Sequence, residues 1–241
     1  MKLTRILKTD SKSGTKLFLA ALTASLGLGL NAQAATVVMS LGNSGFTAAG
    51  GEAMISTNGT FHSALNIGGN TGTDDVIVGA ETITFTSNTD LFANASFDVA
   101  NVGSTGAWAN VLGRARFSNA GNSTPSEMIT IGNGIQGNTA LTIGLIYEVE
   151  FFYGDTRTCC DTRTQDISGD STFADFVNIG VDTSAIGTFT ADATTQDFFI
   201  ARGTNLDTAL VAISVRVIPE PSAVAFGSLA LFGCLLRRRR Q

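Results

Sequence analysis

"LIYEVEFFY", residues 145–153, is the stretch on which the fold turns. Leu145, Tyr147, Val149, Phe151 and Tyr153 are apolar or aromatic, and Glu148 and Glu150 stand in the alternate phase. A period of two puts successive side chains on opposite faces, so this is a strand with one face in a core and its two glutamates expected in water. The same period returns in "VAISVRV", where Val211, Ile213, Val215 and Val217 alternate with Ala212, Ser214 and Arg216. Shorter versions lie at 82–86 and 96–99, and "FHSALNI" reads as a strand carrying a polar residue.

Further β-type runs occur at 36–41, 75–78, 114–117, 128–131, 140–143, 173–178, 187–191 and 196–200, separated by turn clusters such as "GGNTG" and "GNG". No internal segment keeps a helical spacing. Many short strands divided by turn residues predict an all-β fold, an antiparallel β-sandwich of roughly ten to twelve strands. A jelly-roll-like arrangement is expected over an immunoglobulin-like one, whose Cys-Trp-Cys framework is missing.

The termini have a different composition. Lys2, Arg5, Lys8, Lys12 and Lys16 precede an apolar run at 17–30 and the small-residue site Ala32-Gln33-Ala34. That order is expected of a secretory signal peptide over 1–34, cut after Ala34. At the other end Pro219-Glu220-Pro221 is followed by an apolar run of 14 residues, 223–236, and by Arg237, Arg238, Arg239 and Arg240. As a helix the run would measure about 21 Å against a hydrocarbon core of about 30 Å, so it can span only with local thinning and snorkelling side chains. The arginines are expected to act as a membrane stop on the cytoplasmic side.

The triplet, the apolar helix and the arginine cluster, in that order, resemble the PEP-CTERM sorting signal of exported bacterial proteins. The resemblance covers 218–241. It implies recognition of Pro219, Glu220 and Pro221 by exosortase, signal peptidase as a second processing enzyme, a transient stay in the inner membrane, and delivery to the cell surface or an exopolysaccharide or biofilm matrix. The stretches "LTIGLIYEVEFFYGDTR", "GTFTADATTQDFFI" and "ALVAISVRV" also resemble, with low specificity, lectin-like or carbohydrate-binding-module-like domains.

Between the termini, residues 35–217 amount to one domain. They hold six arginines, no lysine and 18 acids, a formal charge of −12 that the whole-chain value of −5 conceals. Such a domain repels nucleic acid and anionic lipid, which need clustered positive charge.

Candidate chemistry concentrates in "GDTRTCCDTRTQDISGDSTFAD", read as a loop after the best strand. Asp155, Arg157, Asp161 and Arg163 form a repeated Asp-Thr-Arg-Thr unit around Cys159 and Cys160 and are candidates for hydrogen-bonding sugar hydroxyls. Asp166, Asp170 and Asp175 are candidate Ca²⁺ ligands, oxygen donors suited to a hard cation. The bland alternative is an Asp-Arg ion-paired loop that fixes its own shape. No other cofactor is expected. The adjacent cysteines are a vicinal disulfide, a crosslink to another chain, or two thiols. His62 is the only histidine, which excludes a two-His zinc motif. Trp108 reads as a core or rim residue. Glu148 and Glu150, about 7 Å apart along a strand, lie within the reach of a glycosidase pair, although alternation accounts for them as a solvent face. The expected function is therefore a non-enzymatic surface or matrix protein, with a secreted sugar-binding module as the alternative.

Overall fold

The computed structural model describes residues 35–69, 72–91, 96–99, 102–118, 127–203 and 207–220. Ala32, Ala34, Pro221, the apolar run and Arg237 to Arg240 lie outside them, so the expected signal peptide and membrane helix fall outside the described residues. Among those residues the strands are β1 (Val38–Ser44), β2 (Thr60–Asn66), β3 (Thr73–Val78), β4 (Glu81–Ser87), β5 (Ser96–Asp98), β6 (Arg114–Ser118), β7 (Glu127–Ile131), β8 (Ile146–Tyr153), β9 (Thr164–Ser168), β10 (Phe176–Gly180), β11 (Thr183–Thr190), β12 (Gln196–Arg202), β13 (Thr208–Leu210) and β14 (Ala212–Ile218). A 3₁₀ turn, Gly51–Met54, follows β1, and a short helix α1, Gly106–Leu112, precedes β6.

The chain is all-β. A seven-stranded sheet runs β1-β11-β8-β14-β2-β4-β3, a four-stranded sheet β10-β9-β12-β7, and a three-stranded one β13-β6-β5. Pairing is antiparallel except between β2 and β4, which run parallel with Ala64 opposite Phe85. A jelly roll divides eight strands between two sheets; the unequal sheets and the parallel pair make sandwich the description that this strand order supports.

β8 lies at the centre of the large sheet, with Phe151 opposite Ala185 of β11 and Ile213 of β14. Its odd residues do what the alternation predicts. Tyr147, Val149, Phe151 and Tyr153 enter a core that also holds Ile129, Ile131, Ile167, Phe198 and Ile200 from the four-stranded sheet. Phe198 fits between Phe151, at 4.9 Å between ring centres, and Phe189, at 5.9 Å.

The even residues of β8 overturn the expectation. Glu148 and Glu150 are 7% and 1% exposed, not in water. The reason is a second covering layer. Phe46, Ile55, Trp108, Val111 and Leu112 form a further core with Phe152, Ala64 and Ala212 from the back of the same sheet. Trp108 meets Phe152 edge-on at 5.6 Å and donates its indole N–H to the Phe46 carbonyl at 2.9 Å. It is a core residue.

Three local readings are corrected with it. Residues 140–143 are not a strand. β9 lies inside the stretch read as a loop, because Gln165-Asp166-Ile167-Ser168 offers one apolar residue and no visible alternation. α1 buries Trp108, Val111 and Leu112 at helical spacing, but over two turns only, too short a window for periodicity.

Gly187 sets the fit of the two sheets. A Cβ there would lie 2.7 Å from a Phe198 ring carbon and 3.1 Å from the Met39 sulfur. Gly187→Ala should cost about 1–3 kcal/mol by overpacking, read as a lower urea midpoint. Gly180→Ala, whose added Cβ would meet nothing within 4 Å, should fall within about 0.5 kcal/mol of wild type. Equal midpoints for the two variants would show that the ring moves aside freely.

Candidate functional site

Buried carboxylates need hydrogen bonds, since unpaired charge away from water is expensive. Glu148 and Glu150 take theirs from a segment that crosses the back of the sheet after the 3₁₀ turn. The Ser56 amide donates to Glu150 Oε2 at 2.9 Å, and the Ser56 hydroxyl makes a short bond to Glu148 Oε1. Asn58 Nδ2 donates to Glu148 Oε2 at 3.3 Å, and the Ser184 hydroxyl of β11 donates to Glu150 Oε1 at 2.7 Å.

Arg216 of β14 stands opposite Glu148 in register and is 1% exposed. Its Nε donates to the Asn58 carbonyl at 2.8 Å, and Nη2 to Glu81 Oε2 at 2.6 Å. Nη1 is buried with no hydrogen-bond partner. The arginine and Glu81 line an open groove of about 710 Å³ with Ala53, Thr57, Gly59, Val78, Gly79 and Ala80. Neither Glu148 nor Glu150 lines it, so a substrate in the groove does not meet the carboxylate pair.

Burial pushes the Glu150 carboxyl up from 4.5 to about 7, with Glu148 adding repulsion, while the Ser56 amide, Ser184 and Arg216 act against the rise. Around neutral pH this group holds and releases a proton inside the fold.

The Asp155 to Asp175 stretch is organised differently from a single ligand loop. Asp155 is buried and receives two bonds from Arg157, Nε at 2.7 Å and Nη2 at 2.8 Å, and the guanidinium lies 3.9 Å above the Phe97 ring. Arg163 pairs with Asp207 at 3.6 Å, and Asp161 is exposed. Cys159 and Cys160 are joined by a disulfide. Asp166, on β9, accepts from Asn178 Nδ2 at 2.6 Å. Asp170 accepts from the Thr172 amide and hydroxyl and from Ser168, which hold its carboxyl below the usual range. The Asp175 carbonyl accepts from the Ser168 hydroxyl at 2.7 Å. Among the described residues no three His, Cys, Asp or Glu side chains gather as a metal site.

Pro219 and Glu220 are exposed immediately after β14. Among the described residues no helix is long and apolar enough to cross a membrane.

Sequence reading missed Ser56, Glu81, Ser184 and Arg216 as one cluster. One signal was present: Phe151-Phe152 puts a large apolar residue on each face of β8, which a one-sided strand does not do.

No family model matches the chain, and no curated protein matches its sequence. In structure it is similar to the ANX2 ectodomain from Arabidopsis thaliana, at 13% identity over 67% of this chain and 50% of that chain, with a TM-score of 0.42. The ANXUR1 extracellular domain of the same plant matches at 13% identity over 65% and 48%, TM-score 0.42. A β-glucuronidase of Bacteroides uniformis matches at 14% identity over 65% of this chain and 18% of that chain, TM-score 0.42. The chain spans half or less of each, and likeness at that level assigns no family, ligand or activity.

The Glu150 carboxyl gives a test by pH. Between about 4.5 and 7 the folded state keeps a proton that the unfolded state releases, so stability falls as pH rises through that window and is level, for this group, above it. Glu150→Gln keeps the shape, and the Ser184 hydroxyl can turn to accept from the new amide. Denaturant unfolding from pH 4 to 8 should show the wild type losing on the order of 3 kcal/mol more than the variant across the window. Parallel profiles would place the Glu150 carboxyl at its ordinary value in the fold.

Proposed function

We propose that the chain is an exported, non-enzymatic surface or matrix protein sorted through its C-terminal signal. The observation that carries this is the position of the motif. β14 is hydrogen-bonded on both sides in the middle of the large sheet, ends at Ile218, and passes straight into exposed Pro219 and Glu220. A processing enzyme reading Pro219-Glu220-Pro221 thus reaches its motif without unfolding the sheet. In this reading exosortase and signal peptidase act on the two ends, the apolar run and Arg237 to Arg240 hold the chain in the inner membrane until the cut, and the β-sandwich is the delivered part. The burial of Glu148 and Glu150 supports the non-enzymatic part, because the carboxylate pair within glycosidase reach has no open face.

A second reading, a secreted carbohydrate-binding module, is favoured by the groove beside Arg216 and Glu81. The partly exposed Glu81 carboxylate, held by the buried Arg216, can accept from sugar hydroxyls there. Glycan-array binding lost in Glu81→Gln would support it.

The sorting reading makes a divided prediction. With Pro219-Glu220-Pro221 replaced by alanines, fractionation should find full-length chain retained in the inner membrane, since the apolar run and arginines still hold it. With Arg237 to Arg240 replaced instead, the short span loses its stop and unprocessed chain should be released. Surface delivery of a trimmed triplet variant at the parental level would sink the sorting reading.

A further inference from the structure

The Cys159–Cys160 disulfide joins neighbours, at a sequence separation of 1. A crosslink stabilises a fold mainly by shortening the free loops of the unfolded chain, an effect that depends on the residues enclosed. This one encloses none. Nor does the loop need it, because other contacts already hold the turn. The Cys160 amide donates to the Arg157 carbonyl at 2.7 Å, and its carbonyl accepts from the Arg163 amide at 3.1 Å. Arg157 is fixed by Asp155 and Phe97, and Arg163 by Asp207. The bond therefore does no evident structural task.

The two residues differ in access. Cys159 is exposed, whereas Cys160 is 1% exposed. An incoming thiolate can reach only the outer sulfur, and in-line displacement then makes the inner sulfur the leaving group. The Cα atoms are 3.8 Å apart, below the roughly 4.4–6.8 Å of ordinary disulfides, and bonds outside that range are the more readily opened.

We infer that Cys159–Cys160 is a surface thiol-capture site whose ligand is a low-molecular-weight thiol. The thiolate sulfur bonds to Cys159 Sγ, the Cys159–Cys160 bond breaks, and its electron pair leaves on Cys160 Sγ, which takes a proton from solvent. The product is one mixed disulfide at Cys159 and one thiol at Cys160. No external oxidant is consumed. Reversal by Cys160 expels the thiol and restores the starting bond, and the anchored Cys160 backbone keeps the leaving sulfur in place for it.

Glutathione is the probe, applied to the full chain purified without reductant and carrying Cys234→Ser, which removes the third cysteine of the sequence. Intact mass should show a single glutathionyl adduct, and peptide mapping should place it on Cys159. Full reduction should move the melting temperature by no more than about 1–2 °C, as for a bond that encloses no loop. In folded protein, the lone thiol of Cys160→Ser should alkylate at least about tenfold faster than that of Cys159→Ser, because access governs the rate. An adduct mapped to Cys160, no adduct in excess glutathione, two free thiols before glutathione is added, or equal alkylation rates in the two variants would each overturn the assignment.

Discussion

The hydrogen bonds from Ser56 to Glu148 and Glu150 are the constraint around which the back of the sheet is arranged. β8 is central and covered on both faces, so Glu148 and Glu150 are largely withdrawn from water. Two carboxylates there are tolerable only with donors in fixed places, and Ser56 supplies two, its amide and its hydroxyl. The segment carrying Ser56 cannot then be a free loop. Its beginning is tied by the Thr47 amide to Asp182 Oδ1 at 2.7 Å. Phe46 anchors the same stretch among Phe152 and Trp108. One segment thus covers an apolar part of the sheet with the Phe46 ring and a polar part with the Ser56 and Asn58 donors.

Among the described residues there are fourteen strands, more than the ten to twelve expected, and the fold was legible in the sequence where alternation ran long, with β8 and β14 the clearest cases. What alternation could not convey was the number of covered faces. Val149 and Glu150 differ in polarity, but both are buried, because the layer over Glu150 is built by residues almost a hundred positions earlier. Only pairing across strands, such as Arg216 opposite Glu148, brings the cluster together. β9 was hidden for a related reason. It is an inner strand of the small sheet, paired with β10 and β12, yet polar residues dominate its five positions.

Charge is handled by the same economy of contacts. Of the six arginines between 35 and 217, Arg114 pairs with Asp98, Arg157 with Asp155, Arg163 with Asp207 and Arg216 with Glu81, and Arg116 bonds to the Thr89 carbonyl. Positive charge is thereby tied to particular acids and carbonyls, while acids exceed arginines three to one in the domain. The formal charge of the domain is therefore set by acids that have no arginine to pair with.

β14 is paired as far as its last residue, which fixes where the large sheet ends. Ile218 is in register with Ile146, Val217 with Tyr147 and Arg216 with Glu148, so the ladder extends to the residue before Pro219. A cut inside β14 would remove a paired residue from the middle of the large sheet and, at Arg216, the cation that bonds Glu81. A cut at or beyond the triplet leaves every ladder bond in place. Proline is well suited to that boundary, since it has no N–H to extend the pairing. The paired part of the chain therefore ends at Ile218, and Pro219 is the first residue whose loss would leave the Arg216–Glu81 bond and the carboxylate cluster behind β8 in place.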